Sequence, residues 1–353
     1  MKLHSGLDES ALDAYLFAHL PVYAGPYAVS VLSGGQSNPT FLLEGQGKKL
    51  VLRKKPGGIL LPSAHAVDRE YRVISALRDS AVPVAQAECY CEDEAIIGTP
   101  FYVMEFVQGR QFMNPALPEL VAEERGRVWN EFNRVIAALH CVNYDAVGLG
   151  DYGRPGNFLA RQIARWSKQY RASETERIDT MERLIEWLPA NVPPGDDTAI
   201  VHGDLRIDNL IFHSTEPRIL AVLDWELSTL GHPLADLAYH AMSWRLTSEQ
   251  FRGMAEHDLA ALGIPSEAQY LQLYCQRTQR EPIDAAEWEF HMAFSMFRLA
   301  AILQGIVRRA LDGNASSSEA LATGQRARTI ADAAWLQVEK LMTNAPARIL
   351  LNP

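Results

Sequence analysis

The chain has 353 residues, 48% of them hydrophobic and 22% charged, with a formal net charge of −10. That is enough chain for two lobes with real cores, and the acidic balance excludes a general nucleic-acid binder or a polybasic membrane surface, though not a local basic pocket. Its four cysteines, Cys89, Cys91, Cys141 and Cys275, form no C-x-x-C pair and argue against a zinc site.

The opening residues lack the apolar core of a signal peptide, and no uninterrupted apolar run reaches membrane-spanning length, so a soluble cytoplasmic protein without a membrane partner is expected. Residues 7–20 place Leu12, Leu16 and Leu20 at helical spacing behind a capping Asp8. Strand-like runs follow at 27–32, 40–44 and 49–53. The first two are joined by S-G-G-Q-S-N (33–38), the last two by a turn containing Gly45 and Gly47. A Gly-Ser-Asn loop of this kind is either a hairpin turn or a cover for phosphates, because glycine lets backbone N–H groups come close to an anion.

The third run ends in V-L-R-K-K-P (51–56). Arg53 and Lys55 share a face by the two-residue period, and Lys54 points the other way, toward solvent. The cluster is a solvated strand end or an anion grip. Residues 66–79 predict a helix with Val67, Tyr71, Ile74 and Leu77 on its apolar side. Runs at 88–91 and 101–106 are two further strands, the second leading to Gly109. From there the composition turns helical, which sets an expected boundary between an N-terminal lobe of 1–108 and a C-terminal lobe of 109–353. The stripe Val128, Trp129, Phe132, Val135, Ile136 and Leu139 within 127–140 reads as core, and 157–188 holds two more helical patterns.

Residues 201–226, V-H-G-D-L-R-I-D-N-L-I-F-H-S-T-E-P-R-I-L-A-V-L-D-W-E, carry the densest chemistry. The apolar runs 210–212 and 219–223 flank a turn with Pro217 and predict a β-hairpin. Its entrance is the polar loop H-G-D-L-x-x-x-N, and its exit is Asp224. Asn209 and Asp224 then lie at one end, as two ligands of one cation must. Mg²⁺ takes carboxylate or amide oxygens together with phosphate oxygens, and a further carboxylate, here Asp204, can orient a hydroxyl and take its proton.

Beyond it, Gly231 and Pro233 punctuate a turn and Asp236 stands at a helix-capping position. His232 and His240 have no ligand partner at i+4 and read as structural or substrate-facing. Residues 248–345 read as helices, among them a nearly all-apolar core helix through 294–307 and an amphipathic one at 331–341. The G-N-A-S-S-S stretch (313–318) between those two reads as a loop. Arg298, Arg308 and Arg309 near one end of the apolar helix read first as exposed charge, with an anion site as the alternative. No part of the pattern specifies an oligomeric state.

H-G-D-L-x-x-x-N, D-W-E and the following G-x-P-x-x-D-L-A together resemble the aminoglycoside phosphotransferase-like branch of the kinase fold, whose protein-kinase counterparts are H-R-D-L-x-x-x-N and D-F-G. The resemblance runs from about residue 33 to 239. It implies an α+β, two-lobed protein-kinase-like fold with a small antiparallel-sheet N-lobe and a larger helical C-lobe. It also implies ATP and Mg²⁺ as cofactors and phosphoryl transfer to a hydroxyl of a small molecule. By this resemblance Asp204 is the catalytic base, Asn209 and Asp224 hold Mg²⁺, and His202 and Asp236 support the catalytic loop. Ser33, Gly34, Gly35, Gln36, Ser37 and Asn38 become the nucleotide-covering loop, without the G-x-G-x-x-G of protein kinases. Arg53 or Lys55 grips the phosphates, an Arg standing where many relatives carry Lys, and Glu70 is its partner. Met104 lines the adenine pocket, and the backbone of Glu105, Phe106 and Val107 holds the base.

The segments L-P-S-A-H-A-V-D-R-E-Y, N-F-L-A-R-Q-I-A-R-W-S-K-Q-Y and L-D-W-E-L-S-T-L-G-H-P are more distinctive. They look like the kinase-like domain fused to acyl-CoA dehydrogenases in animals. That favours a hydroxylated acyl chain, as a hydroxyacyl-CoA or a related hydroxy acid, over an aminoglycoside, sugar or choline. A nucleotide-binding regulator with weak catalysis is the alternative of another class: Arg53 speaks for it, and the intact Asp204, Asn209 and Asp224 speak against it. A protein kinase would need D-F-G and A-P-E with an activation segment between them, which this chain lacks.

Overall fold

Asp8 accepts the N–H of Ala11 at 3.0 Å and starts α1, Glu9–His19, at the residue the sequence marks. The computed structural model describes residues 7–32, 38–57, 66–313 and 320–344. After α1 come β1 (Ala28–Val31), β2 (Thr40–Gly45), β3 (Lys48–Lys54), α2 (Val67–Leu77), β4 (Ala87–Cys91), α3 (Glu94–Ile97) and β5 (Phe101–Glu105). The strands form one antiparallel sheet in the order β1-β2-β3-β5-β4. Alternate residues of β2, β3 and β5, among them Phe41, Leu43, Leu50, Leu52, Phe101 and Val103, pack with Leu12, Leu16 and Leu20 of α1 in a single core. α2 packs against β4 and β5.

The chain continues through α4 (Ala122–His140), α5 (Phe158–Ser173), α6 (Asp179–Ala190) and β6 (Ala199–Val201). It then forms β7 (Leu210–Phe212), β8 (Ile219–Val222), β9 (Thr229–Gly231) and α7 (Pro233–Ala241). The last elements are α8 (Ser248–Phe251), α9 (Glu267–Thr278), α10 (Ala285–Leu311), α11 (Ala320–Gly324) and α12 (Ala327–Asn344). α4 begins five residues ahead of its expected start because its first turn, with Glu123 and Glu124, is polar and carries no apolar period. β7 and β8 pair as the expected hairpin, whereas the pairing of β6 with β9 has no counterpart in the sequence reading.

These elements divide into two compact units. The first holds residues 1–111, 142–150 and 208–228; the second holds 112–141, 151–207 and 229–353. The sheet-bearing unit therefore takes the β7–β8 hairpin with it. Arg110 and Phe212 exchange two backbone hydrogen bonds of 2.8 Å each, and a Cβ on Gly109 would meet the Phe212 carbonyl oxygen at 2.1 Å. Only glycine lets the two backbones come this close. Gly109→Ala is expected to cost about 1–3 kcal/mol, the usual penalty for forcing volume into a packed contact, measured by chemical denaturation.

The second unit is helical. α10 is its central element, packed against α5, α7, α11 and α12. By length and composition α10 passes for a membrane span, but 83% of its most apolar window is buried within this unit. A second cluster surrounds His240, whose ring lies 4.1 Å from Phe132 and 5.3 Å from Tyr270, with its Nε2 at 2.9 Å from the Tyr270 hydroxyl. Burial lowers His240 to a pKa of about 3 and His232 to about 4, and drives His291 well below the usual imidazole value. These groups are neutral in the folded chain and gain protons near pH 6.5 once unfolded. Stability is thus full above about pH 6.5 and falls as pH drops toward 3, by about 1 kcal/mol per pH unit for each histidine. Denaturation midpoints at pH 7 and pH 5 should differ accordingly, and His240→Gln should flatten the slope.

Candidate active site

In the sheet-bearing unit the site is built around Arg53 at the end of β3. Its Nε lies 3.0 Å from Glu70 Oε2, and its Nη2 lies 3.5 Å from Asp224 Oδ1. Burial alone would lower the guanidinium's pKa, but Tyr102, Glu70 and Asp224 outweigh it and hold the charge. Glu70, on the buried side of α2, accepts from Asn38 Nδ2 at 2.7 Å and from the Tyr102 hydroxyl at 2.9 Å. The Arg53–Glu70 pairing is therefore present, and Arg53 spans from the helix carboxylate to the D-W-E aspartate.

Asn38 is fully buried and serves to fix Glu70. Ser33, Gly34, Gly35, Gln36 and Ser37, the rest of the expected covering loop, lie outside the described residues. Lys55 follows β3 and donates its backbone N–H to the Pro100 carbonyl. Lys54 does not face solvent: its Nζ donates to the Ile97 carbonyl at 3.2 Å, and burial lowers its pKa. A carbonyl at the end of α3, distant in sequence, captures a side chain that strand period alone sends outward.

Asp224, two residues beyond β8, has φ +65° and ψ 58°, a left-handed conformation that Asp tolerates better than most residues. The Leu223 N–H donates to the Asn209 carbonyl at 2.8 Å, and Leu210 pairs with Val222, so Asn209 and Asp224 sit at the same end of the hairpin. The D-W-E segment is tied back to α2 by Arg69 Nη2, which donates to the Ser228 carbonyl at 3.3 Å. One amide and one half-exposed carboxylate form a donor set suited to a hard cation such as Mg²⁺, which completes its shell with phosphate and water oxygens. On β5, Met104 stands opposite Val51, and the N–H groups of Glu105 and Phe106 are bonded to the Gln86 and Lys49 carbonyls. Among the described residues, Val107 offers the first unbonded N–H of that run.

In the helical unit the H-G-D loop is held by Asp236. Its carboxylate accepts the N–H of His202 and of Gly203, both at 2.8 Å, and lies 3.4 Å from His140 Nε2. Burial pushes the carboxyl up, but the His140 hydrogen bond, the neighbouring imidazoles of His140 and His202 and the His202 N–H pull it below its usual range. Asp236 does not cap α7 as its position suggests. His232 does, accepting the Leu234 N–H at 3.3 Å, which frees the Asp236 carboxylate for the loop. Gly203 has φ +83°, a conformation costly for any residue with a Cβ, so Gly follows the histidine here. His202 is fully buried, and its Nδ1 accepts the Asp204 N–H at 3.2 Å.

Asp204 is thereby fixed at the tip of a braced loop. Arg206 grips its carboxylate, with Nε at 3.0 Å from Oδ1 and Nη2 at 3.1 Å from Oδ2. The Tyr239 hydroxyl also bonds Asp204; burial first, then the Asp204 charge, raises the phenol's pKa. Arg298 is half-buried rather than exposed: its Nη2 donates to the Gly203 carbonyl, because the long side chain folds back over α7. Arg308 instead donates to the Glu174 carbonyl at 2.7 Å. The sequence reading missed Arg206, Tyr239 and His140. Arg206 was visible within the motif, whereas His140 stands 96 residues from Asp236 with no local signal.

His232, Glu287 and His291 also converge, with ligand atoms within 4.8 Å of one another. Because His232 Nδ1 accepts the Leu234 N–H, the ring proton sits on Nε2, and neither nitrogen has a lone pair left for a metal.

Comparison with known proteins places this arrangement. The family model described as the phosphotransferase enzyme family (APH) matches residues 28–272. The chain belongs to this phosphotransferase family. A crystal structure from Ralstonia eutropha, named as a putative aminoglycoside phosphotransferase, superposes with a TM-score of 0.87 at 53% identity, over 95% of this chain and 99% of that one. A choline kinase from Cryptosporidium parvum superposes with a TM-score of 0.68 at 12% identity over 95% of this chain and 97% of that one, and so shares the fold alone. Mouse acyl-CoA dehydrogenase family member 10 is 46% identical over 93% of the chain, and mouse family member 11 is 40% identical over 96%. The chain spans 31% and 44% of their lengths. The kinase-like α+β fold and the likeness to the acyl-CoA dehydrogenase-fused domain are both borne out.

Proposed function

We propose that this phosphotransferase uses ATP and Mg²⁺ and that its acceptor is the hydroxyl of an acyl compound, a hydroxyacyl-CoA or a related hydroxy acid. The observation that carries the nucleotide assignment is the Arg53 bridge from Glu70 to Asp224, beside Asn209. Mg²⁺ bound by Asn209 and Asp224 would neutralise charge on the phosphates during transfer. Arg53 binds the phosphate oxygens, and Glu70 holds it in place. Asp204 accepts the proton of the acceptor hydroxyl as that oxygen bonds to the γ-phosphorus and the bond to the β-phosphate oxygen breaks, leaving ADP. Asp236 and His202 keep the Asp204 loop rigid, so little reorganisation is needed at the moment of transfer.

The acyl acceptor is supported by the two relatives that carry acyl-CoA dehydrogenase in their names and match this chain nearly end to end. The test is a panel of hydroxyacyl-CoA thioesters and free hydroxy acids set beside kanamycin, spectinomycin, choline and simple sugars, with ADP release and phosphorylated product both followed. Turnover confined to the hydroxyacyl compounds is the expected result. Turnover of an aminoglycoside or choline alone contradicts the acyl assignment, and ATP binding without turnover of any acceptor points to a regulator. Arg53→Met should raise the KM for ATP by roughly tenfold or more, since a charge-assisted phosphate contact is lost, and should lower stability as well, since Glu70 is left buried without its cation.

A further inference from the structure

Within the helical unit, three guanidinium groups lie along a chain of contacts that starts at the Asp204 loop. Arg206 is paired with the Asp204 carboxylate directly. Arg298 lies with its Cζ 4.7 Å from the Tyr239 ring centre and 5.4 Å from that of Trp166. Arg165, exposed on its outer side, stacks on the same Trp166 ring at 5.4 Å, and its pKa is lowered, first by partial desolvation and then by the Arg298 charge. Neither Arg298 nor Arg165 has a carboxylate partner among the described residues. Arg298 Nη2 is taken by the Gly203 carbonyl, one residue from Asp204, while its Nε is buried without a hydrogen-bond partner.

This concentration of positive charge stands out in a chain of net charge −10. Two cations that repel each other across one indole ring are costly unless something anionic joins them. A buried guanidinium donor left unbonded adds the desolvation cost of a hydrogen bond not made. Aromatic rings hold the Arg298 plane in a fixed orientation, which prepares it for an oxyanion and shields the contact from water. A polycation such as an aminoglycoside would be repelled here.

We propose that Arg298 and Arg165 form a subsite for an anionic oxygen group of the acceptor, a carboxylate or a phosphate, which docks the substrate so that its hydroxyl meets Asp204. This rests on the kinase reading above and narrows its acceptor to an anion. Two sources fit the chemistry: the carboxylate of a free hydroxy acid, or the phosphates of a CoA thioester.

The test is calorimetric titration of the full chain, without nucleotide, with a set of straight-chain hydroxy acids, their CoA thioesters and their neutral amides. The expected result is binding of the acids or thioesters but not the amides. Affinity should fall by roughly tenfold or more in Arg298→Gln, and by a smaller factor in the exposed variant Arg165→Ala. Binding of the free acids assigns the subsite to a carboxylate; binding of the thioesters alone assigns it to CoA phosphates. Equal binding of amides and anions, no binding of any anion, or unchanged affinity in both variants overturns the proposal. Binding needs no transfer, so the two readings fail separately. Anions that bind through Arg298 but are never phosphorylated refute the acceptor assignment, whereas turnover of a neutral alcohol with no anion bound refutes the subsite alone.

Discussion

Asp204→Asn is expected to lower kcat by about 10²–10⁴-fold, the range for losing a positioned general base, with the KM for ATP within a few fold of wild type. Nothing about the fold demands a carboxylate at this position. The backbone around it is fixed by Asp236 and His202, and an amide is nearly isosteric with a carboxylate. Arg206 would keep one hydrogen bond to the amide oxygen and lose the ion pair. Thermal unfolding of the variant should therefore remain close to wild type while turnover collapses. A variant that keeps more than a tenth of wild-type kcat on its best acceptor would remove Asp204 from the reaction.

Asp236→Ala should damage stability and activity together. The substitution strands the His202 and Gly203 N–H groups and the His140 ring inside the protein. Removing one partner from a buried charged network costs about 3–5 kcal/mol, a large share of the stability of an ordinary domain. The effect should depend on pH in a definite direction. The Asp236 carboxyl is held below its usual range, so its contribution is present above about pH 4 and fades as pH falls through the lowered folded-state value. The difference between wild type and variant, read from denaturation midpoints, should shrink in acid. A variant as stable as wild type at pH 7 would show that other contacts hold the loop.

Asp204, Asn209 and Asp224 were legible because their spacing is local: one loop and one hairpin contain all three, and hairpin pairing follows from the two apolar runs. The Arg53–Glu70 pair was legible from motif order, with the sheet register supplying the detail that Arg53 stands opposite Tyr102, the second group on Glu70. Less could be seen where the decisive partner comes from a distant part of the chain. Arg298 looked like exposed helix charge, and only the fold of α10 brings it to Gly203, 95 residues away. Asp236 bonds the backbone of the H-G-D loop and does not take the local place its position suggests, because His232 took the cap. The β6–β9 pair escaped notice because strands of three residues leave too short a run for any period to show. Lys54 was misdirected for a related reason: β3 is buried on both faces at Leu50, Val51 and Leu52, so alternation loses its meaning there.

The central claim is that Asp224 belongs to a metal-dependent nucleotide site, and ligand-dependent thermal unfolding tests it most directly. A ligand that binds only the folded chain stabilises it by about 2.7 kcal/mol at a hundred times its Kd. Wild type and Asp224→Asn would be unfolded with ATP alone and with ATP plus Mg²⁺. The predicted result is a rise in Tm for wild type that requires Mg²⁺ and is lost in the variant. No rise at saturating nucleotide, or an equal rise in both proteins, would contradict the assignment of Asp224 and the kinase reading that depends on it.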